Sequence, residues 1–139
     1  MTKWKLIAAL LLSVACKAGA ADVCAAPDTT KASVAIAASS TTKLVSGNTS
    51  STQNITIHVC HYDFTAASGT AATYTFNYGT GTTCGTGTTA LTGAYAGGSY
   101  ISTGAPSADV FVVPPGKDLC ITMGGSGNSA QGVLTYTIQ

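Results

Sequence analysis

Arginine and glutamate are absent from the 139-residue chain, and its charges are confined to six lysines and five aspartates. Lys3, Lys5 and Lys17 lie in the first 20 residues. The remainder holds Lys31, Lys43 and Lys117 against Asp22, Asp28, Asp63, Asp109 and Asp118, three positive charges against five negative, a formal charge of −2. Nucleic-acid binding needs clustered cations that displace counterions from phosphates, and three scattered lysines do not form such a cluster. Without glutamate, a glycosidase-type carboxylate pair would have to come from the dispersed aspartates. No amphipathic pattern of helical period and useful length is present. Tryptophan occurs once, as Trp4, so residues 21–139 offer no indole for stacking a sugar.

Long apolar runs are also missing. Leu6–Ala15 is the longest candidate and is shorter than the roughly 20 residues of a membrane-spanning helix. With two lysines before it and Ala18-Gly19-Ala20 after it, this run predicts a secretory signal peptide over residues 1–20, cleaved near Ala20. Ser13-Val14-Ala15-Cys16 loosely matches a lipoprotein box, but serine stands where leucine is wanted, so a lipid anchor at Cys16 is not expected. The expected product is one domain, residues 21–139, secreted, periplasmic or at the cell surface.

Four cysteines follow the leader: Cys24, Cys60, Cys84 and Cys120. An even number in an exported chain predicts two disulfides, each worth about 2–4 kcal/mol. Three pairings are open, and the reading leans to Cys24 with Cys120 and Cys60 with Cys84, which would tie the start of the domain to its penultimate strand.

Valine, isoleucine, threonine and tyrosine dominate what remains, as in a β-rich globular protein. Asp22 to Lys31 reads as a leader with a proline turn, and Lys31 to Val45 as one or two short strands. Ser46-Gly47-Asn48 is a turn. In Asn54–Phe64, Ile55, Ile57 and Val59 share one face and Cys60, Tyr62 and Phe64 the other, which predicts a central strand. Tyr74, Phe76 and Tyr78 alternate with Thr73, Thr75 and Asn77, a half-buried strand expected to form a hairpin with the previous one. Gly79-Thr80-Gly81-Thr82-Thr83 is then repeated as Gly85-Thr86-Gly87-Thr88-Thr89 around Cys84, predicting a thiol-anchored loop of about 15 residues from Gly79 to Gly93. Ala94-Tyr95 and Tyr100-Ile101 flank Gly97-Gly98 as a broken strand. Val110–Val113 is a short strand ended by Pro114-Pro115-Gly116. Leu119–Met123, a glycine- and serine-rich loop, and the alternating Leu134, Tyr136 and Ile138 complete the chain. The pattern predicts an all-β fold, a single β-sandwich or jelly roll of about seven short antiparallel strands.

Three constellations could carry chemistry. Gly85-Thr86-Gly87-Thr88-Thr89-Ala90 formally fits a dinucleotide fingerprint, but no helical pattern and no acidic partner about 20 residues on follow it, and the lysine of a P-loop is missing. No cofactor is expected. His58, Cys60 and His61 offer metal-ligand chemistry, yet on a regular strand His61 faces away from the other two, so no metal site is expected without a bulge. A serine with His61 or His58 and Asp63 would be the parts of a hydrolase, but no nucleophile elbow is present, and Asp63 is set aside as a strand neighbour facing away. The tyrosines, Tyr62, Tyr74, Tyr78, Tyr95, Tyr100 and Tyr136, could stack sugars or fill a core. Asn48-Thr49-Ser50 and Asn54-Ile55-Thr56 are glycosylation acceptors, expected to be bare because the leader has bacterial character.

Val59-Cys60-His61-Tyr62, the segment GTGTTCGTGTTALTGAY (79–95), VPPGKDLCI (113–121) and Gly132-Val133-Leu134-Thr135-Tyr136 resemble a group of small β-proteins met in bacteriophage and phage-rich environmental sequences. The resemblance covers about the last two thirds of the chain. It implies a jelly-roll-like module of the kind used on virion surfaces or tail fibres, with no catalytic residues to carry over. The expected function is a non-enzymatic exported structural or adhesive module, homo-oligomeric or engaging a cell-surface or glycan partner. The alternatives are a carbohydrate-binding module and a small secreted serine/histidine hydrolase. The candidate interaction surface is Thr82, Thr83, Thr86 and Thr88 of the repeat, with Tyr95 and Tyr100 beyond it.

Overall fold

A computed structural model describes residues 23–25, 29–36, 40–50, 53–67, 73–96, 100–104, 108–125 and 129–139. Residues 1–20, where a signal peptide is expected and which include Cys16, lie outside them, as do Asp22 and Asp28. The strands in chain order are β1 (Thr30–Ile36), β2 (Thr41–Val45), β3 (Asn48–Ser50), β4 (Gln53–Asn54), β5 (Ile57–Ala67), β6 (Thr73–Thr80), β7 (Thr86–Ala90), β8 (Tyr95–Ala96), β9 (Tyr100–Gly104), β10 (Phe111–Val113), β11 (Asp118–Gly124) and β12 (Ser129–Ile138). Among the described residues none is helical.

One sheet runs β1-β12-β5, with β9 and β10 end to end along the other edge of β5; the second runs β2-β11-β6, with β7 and β8 end to end along β6. Every pairing is antiparallel. Taking each end-to-end pair as one row, the eight rows in chain order form sheets 1-8-3-6 and 2-7-4-5, the connectivity of a jelly roll. The strands β3 and β4 make a separate small hairpin.

The expected hairpin between Asn54–Phe64 and the tyrosine-rich strand does not form. The strands β5 and β6 belong to opposite sheets and meet face to face, with the Tyr62 and Phe76 rings 4.8 Å apart. Placed in opposite sheets, the large apolar groups of the two strands cover each other across the interior.

The central position of β5 is as expected, but its two apolar sets do not face opposite ways. Ile57, Val59, Tyr62 and Phe64 are all buried in the core although their numbering changes parity. A bulge does this: Tyr136 pairs with Val59 and Thr135 with His61, leaving Cys60 as the extra residue. Leu119, Ile121 and Met123 of β11, Tyr74 and Phe76 of β6, and Leu134 of β12 complete the interior. The contact of β12 with β5 requires Gly132, where a Cβ would lie 1.8 Å from the Asp63 carbonyl oxygen.

The disulfides are Cys24–Cys60 and Cys84–Cys120, which corrects the pairing Cys24–Cys120 and Cys60–Cys84. Cys60 sits in the first sheet whereas Cys84 and Cys120 belong to the second, so a Cys60–Cys84 bridge would have to cross the sandwich. Each observed bridge closes 36 residues of sequence separation on one side of the core.

Candidate interaction surface

The Gly/Thr repeat is not one long loop. Its first copy ends β6 and starts a turn at Gly81; its second copy is mostly the edge strand β7, with Tyr78 opposite Thr89 and Asn77 opposite Ala90. Threonine favours extended structure, and β6 offers a free edge to pair with, so the second copy is recruited into the sheet. Glycine supplies the exceptional backbone, with φ of 91° at Gly81 and 62° at Gly87. Cys84 is the single non-glycine among the described residues with positive φ, at 54°.

Cys84 bends the turn back over the outer face of the second sheet, where it bridges Cys120 of β11. The approach is close: a Cβ on Gly79 would lie 2.5 Å from the Cys84 carbonyl oxygen. Thr88 donates its hydroxyl to that same carbonyl, and Thr80 donates to the Thr86 carbonyl at 3.3 Å. Thr82 and Thr83 are exposed at the tip, and all five residues of β7, Thr86 and Thr88 among them, are exposed.

Beneath the tip lies a polar cluster that sequence reasoning did not assemble. Asp118, buried at the head of β11, accepts from Ser46 at 3.1 Å and from the Gly47 amide at 3.0 Å, and pairs with Lys43 at 2.7 Å. Burial opposes its ionisation, but the Lys43, Gly47 and Ser46 bonds outweigh that and hold its carboxyl below the ordinary value of 3.8. Because the folded value is the lower one, this contribution to stability is complete above the ordinary value and is lost as pH falls through the folded one. Thermal unfolding midpoints measured downward from pH 7 should drop below about pH 4, and Asp118→Asn should be less stable at pH 7 and lose less on acidification. A signal was present in the sequence: an aspartate between a Pro-Pro-Gly turn and the apolar run Leu119–Ile121 enters a buried strand and needs a cation.

Tyr62, Tyr74, Tyr78, Tyr95 and Tyr136 belong to the core or pack against it. Tyr62 and Tyr74 are buried, the hydroxyls of Tyr62 and Tyr95 lie 3.0 Å apart, and the Tyr74 and Tyr95 rings are 5.1 Å apart. Burial, then the neighbouring Tyr95, pushes the Tyr74 phenol up to about 12, and burial with the Tyr95 bond raises that of Tyr62 as well. Tyr95 is thus half-buried and engaged with the core. Tyr100 belongs to β9 opposite Thr65, in the other sheet, so the two do not share one strand row as a stacking platform.

The bulge at Cys60 turns both histidines to the outer side of the first sheet. His58 Nδ1 lies 2.9 Å from Asp109 Oδ2, beside the Cys24–Cys60 bridge, and His61 Nε2 lies 2.9 Å from Asp63 Oδ2. Asp63 therefore does share a face with His61, as residues two apart on a strand do. His61 also packs over Gly104 of β9, where a Cβ would sit 2.2 Å from Nδ1. Among the described residues no group of three metal-ligating side chains is assembled, and Cys60 is committed to its disulfide.

No protein-family model and no curated protein matches the chain. Among solved structures, one described under the words "Bacillus endospore appendages form a novel family of disulfide-linked pili" is similar at 20% identity, with a TM-score of 0.45 over 79% of this chain and 83% of that one.

Proposed function

We propose that this chain is a non-enzymatic structural or adhesive module that works outside the cytoplasm, through association with further copies of itself or with a cell surface. The observation that carries the reading is β7, an edge strand with all five residues exposed, no charge, and pairing on one side only among the described residues. Soluble proteins commonly guard such edges with lysine or proline, and an unguarded edge presents backbone donors and acceptors to a partner strand. The disulfide at Cys84 holds that edge in register before any partner arrives, which lowers the ordering cost of association. Two disulfides suit an oxidising compartment, and the resemblance to phage-associated β-proteins supports a virion- or cell-surface setting.

Sedimentation velocity of the oxidised protein over a wide concentration range tests this. Self-association is expected, and lysines at Thr86 and Thr89 should weaken it while leaving the circular dichroism spectrum unchanged. A monodisperse monomer that binds neither cells nor glycans overturns the reading.

A further inference from the structure

The turn of the Gly/Thr repeat does more than close a hairpin. Folded back by Cys84, it forms one side of a shallow, solvent-open cleft whose lining is Gly81 and Thr82 on one side and Lys43, Ser46 and Asp118 on the other. None of these side chains is aromatic or large and apolar, so the cleft does not suit a hydrophobic ligand. Its charge is internally compensated, because the Lys43 ammonium lies 2.7 Å from the Asp118 carboxylate. An incoming anion would meet Asp118 and an incoming cation would meet Lys43, so a neutral ligand gains most from this pair.

Hydrogen-bonding capacity remains. An ammonium has three donors, and the Lys43 side chain is one-third exposed, leaving donors beyond the one aimed at Asp118. Thr82 is exposed at the lip, and its hydroxyl has no partner among the described residues, in contrast to Thr80 and Thr88, which are committed to backbone carbonyls. Both walls are held in place, the tip by Cys84–Cys120 and the floor by the three donors on Asp118. An ammonium on one side and a hydroxyl on the other, with no net charge between them, can each hydrogen-bond a neutral polyhydroxylated ligand such as a sugar, whose hydroxyls both donate and accept.

We propose that this cleft binds a neutral sugar, with Lys43 and Thr82 as its principal hydrogen-bonding groups. This names a ligand class for the adhesive side of the module reading and does not depend on self-association. An open site without a stacking ring is expected to bind a single sugar weakly, and several copies on one assembly would raise the effective affinity through avidity.

Amide chemical-shift titration of the folded, oxidised protein with glucose, galactose and N-acetylglucosamine tests the site, with glucuronate and glucosamine as charged counterparts. Saturating shifts are expected at Gly47, Gly81 and Thr82 with at least one neutral sugar, and weaker binding of its charged counterparts. Thr82→Val should weaken binding about fivefold to tenfold, the loss of one hydrogen bond, while Thr83→Val, outside the cleft, should not. Both positions are exposed, so neither variant threatens the fold. No saturating shift at these amides, tighter binding of glucuronate, or unchanged binding by Thr82→Val overturns the proposal. If that happens while sedimentation still shows association, the sugar site fails and the module reading stands.

Discussion

Replacing Cys84 and Cys120 together by alanine should lower the unfolding free energy by about 4 kcal/mol, the chain-entropy value for a closed loop of this length. Both cysteines are fully buried, so the variant also loses packing on the outer face of the second sheet. A second consequence is local. Cys84 occupies the left-handed region at φ 54°, a conformation costing a non-glycine residue about 1–2 kcal/mol that the bridge and the Thr88 hydroxyl help to enforce. Once unbridged, the tip should relax, amide exchange should accelerate from Gly81 to Gly85, and binding in the cleft should fall. Urea denaturation with and without reductant, beside exchange measurements on the double variant, checks both parts. A loss below about 1 kcal/mol would mean that the hairpin ladder alone holds the turn.

The second large effect is expected at the centre of the sandwich. The Phe76 ring lies 4.8 Å from that of Tyr62, 5.3 Å from Phe111, 5.5 Å from Phe64 and 6.3 Å from Tyr74, so this one side chain joins β6 of the second sheet to β5 and β10 of the first. Phe76→Ala removes the ring from a site with no solvent exposure and should cost about 3–5 kcal/mol, through lost transfer energy and the cavity left between two stiff sheets. Phe76→Leu, which refills most of the volume, should recover much of it. Equilibrium denaturation of the two variants gives the comparison, and a cost below about 1 kcal/mol for the alanine variant would show that the sheets can close over the gap.

These two sites illustrate how unevenly structure is written in the chain. Phe76 was legible as a core residue because period-two alternation with threonine and asparagine is a local property. Which strand it faces was not, since alternation specifies an inward side and is silent on the sheet across it. The same holds for β5: the parity change at Cys60 reads as a two-faced strand, whereas a one-residue bulge turns Ile57, Val59, Tyr62 and Phe64 all inward and both histidines outward. The Asp118 cluster joins residues about 70 positions apart, and no spacing rule covers that range. The extent of the Gly/Thr loop is not legible locally, because threonine and glycine are compatible with both loop and edge strand, and β6 beside them decides the matter.

By itself, the sequence determined an all-β fold of sandwich or jelly-roll type with Tyr74 and Phe76 on one inward face, since strand propensity, alternation and composition act over a few residues. Only the tertiary structure decided the jelly-roll order, the Cys24–Cys60 and Cys84–Cys120 pairing, and the cleft between Thr82 and Lys43. These depend on contacts between distant segments, which form where two sheets can bury their apolar faces together.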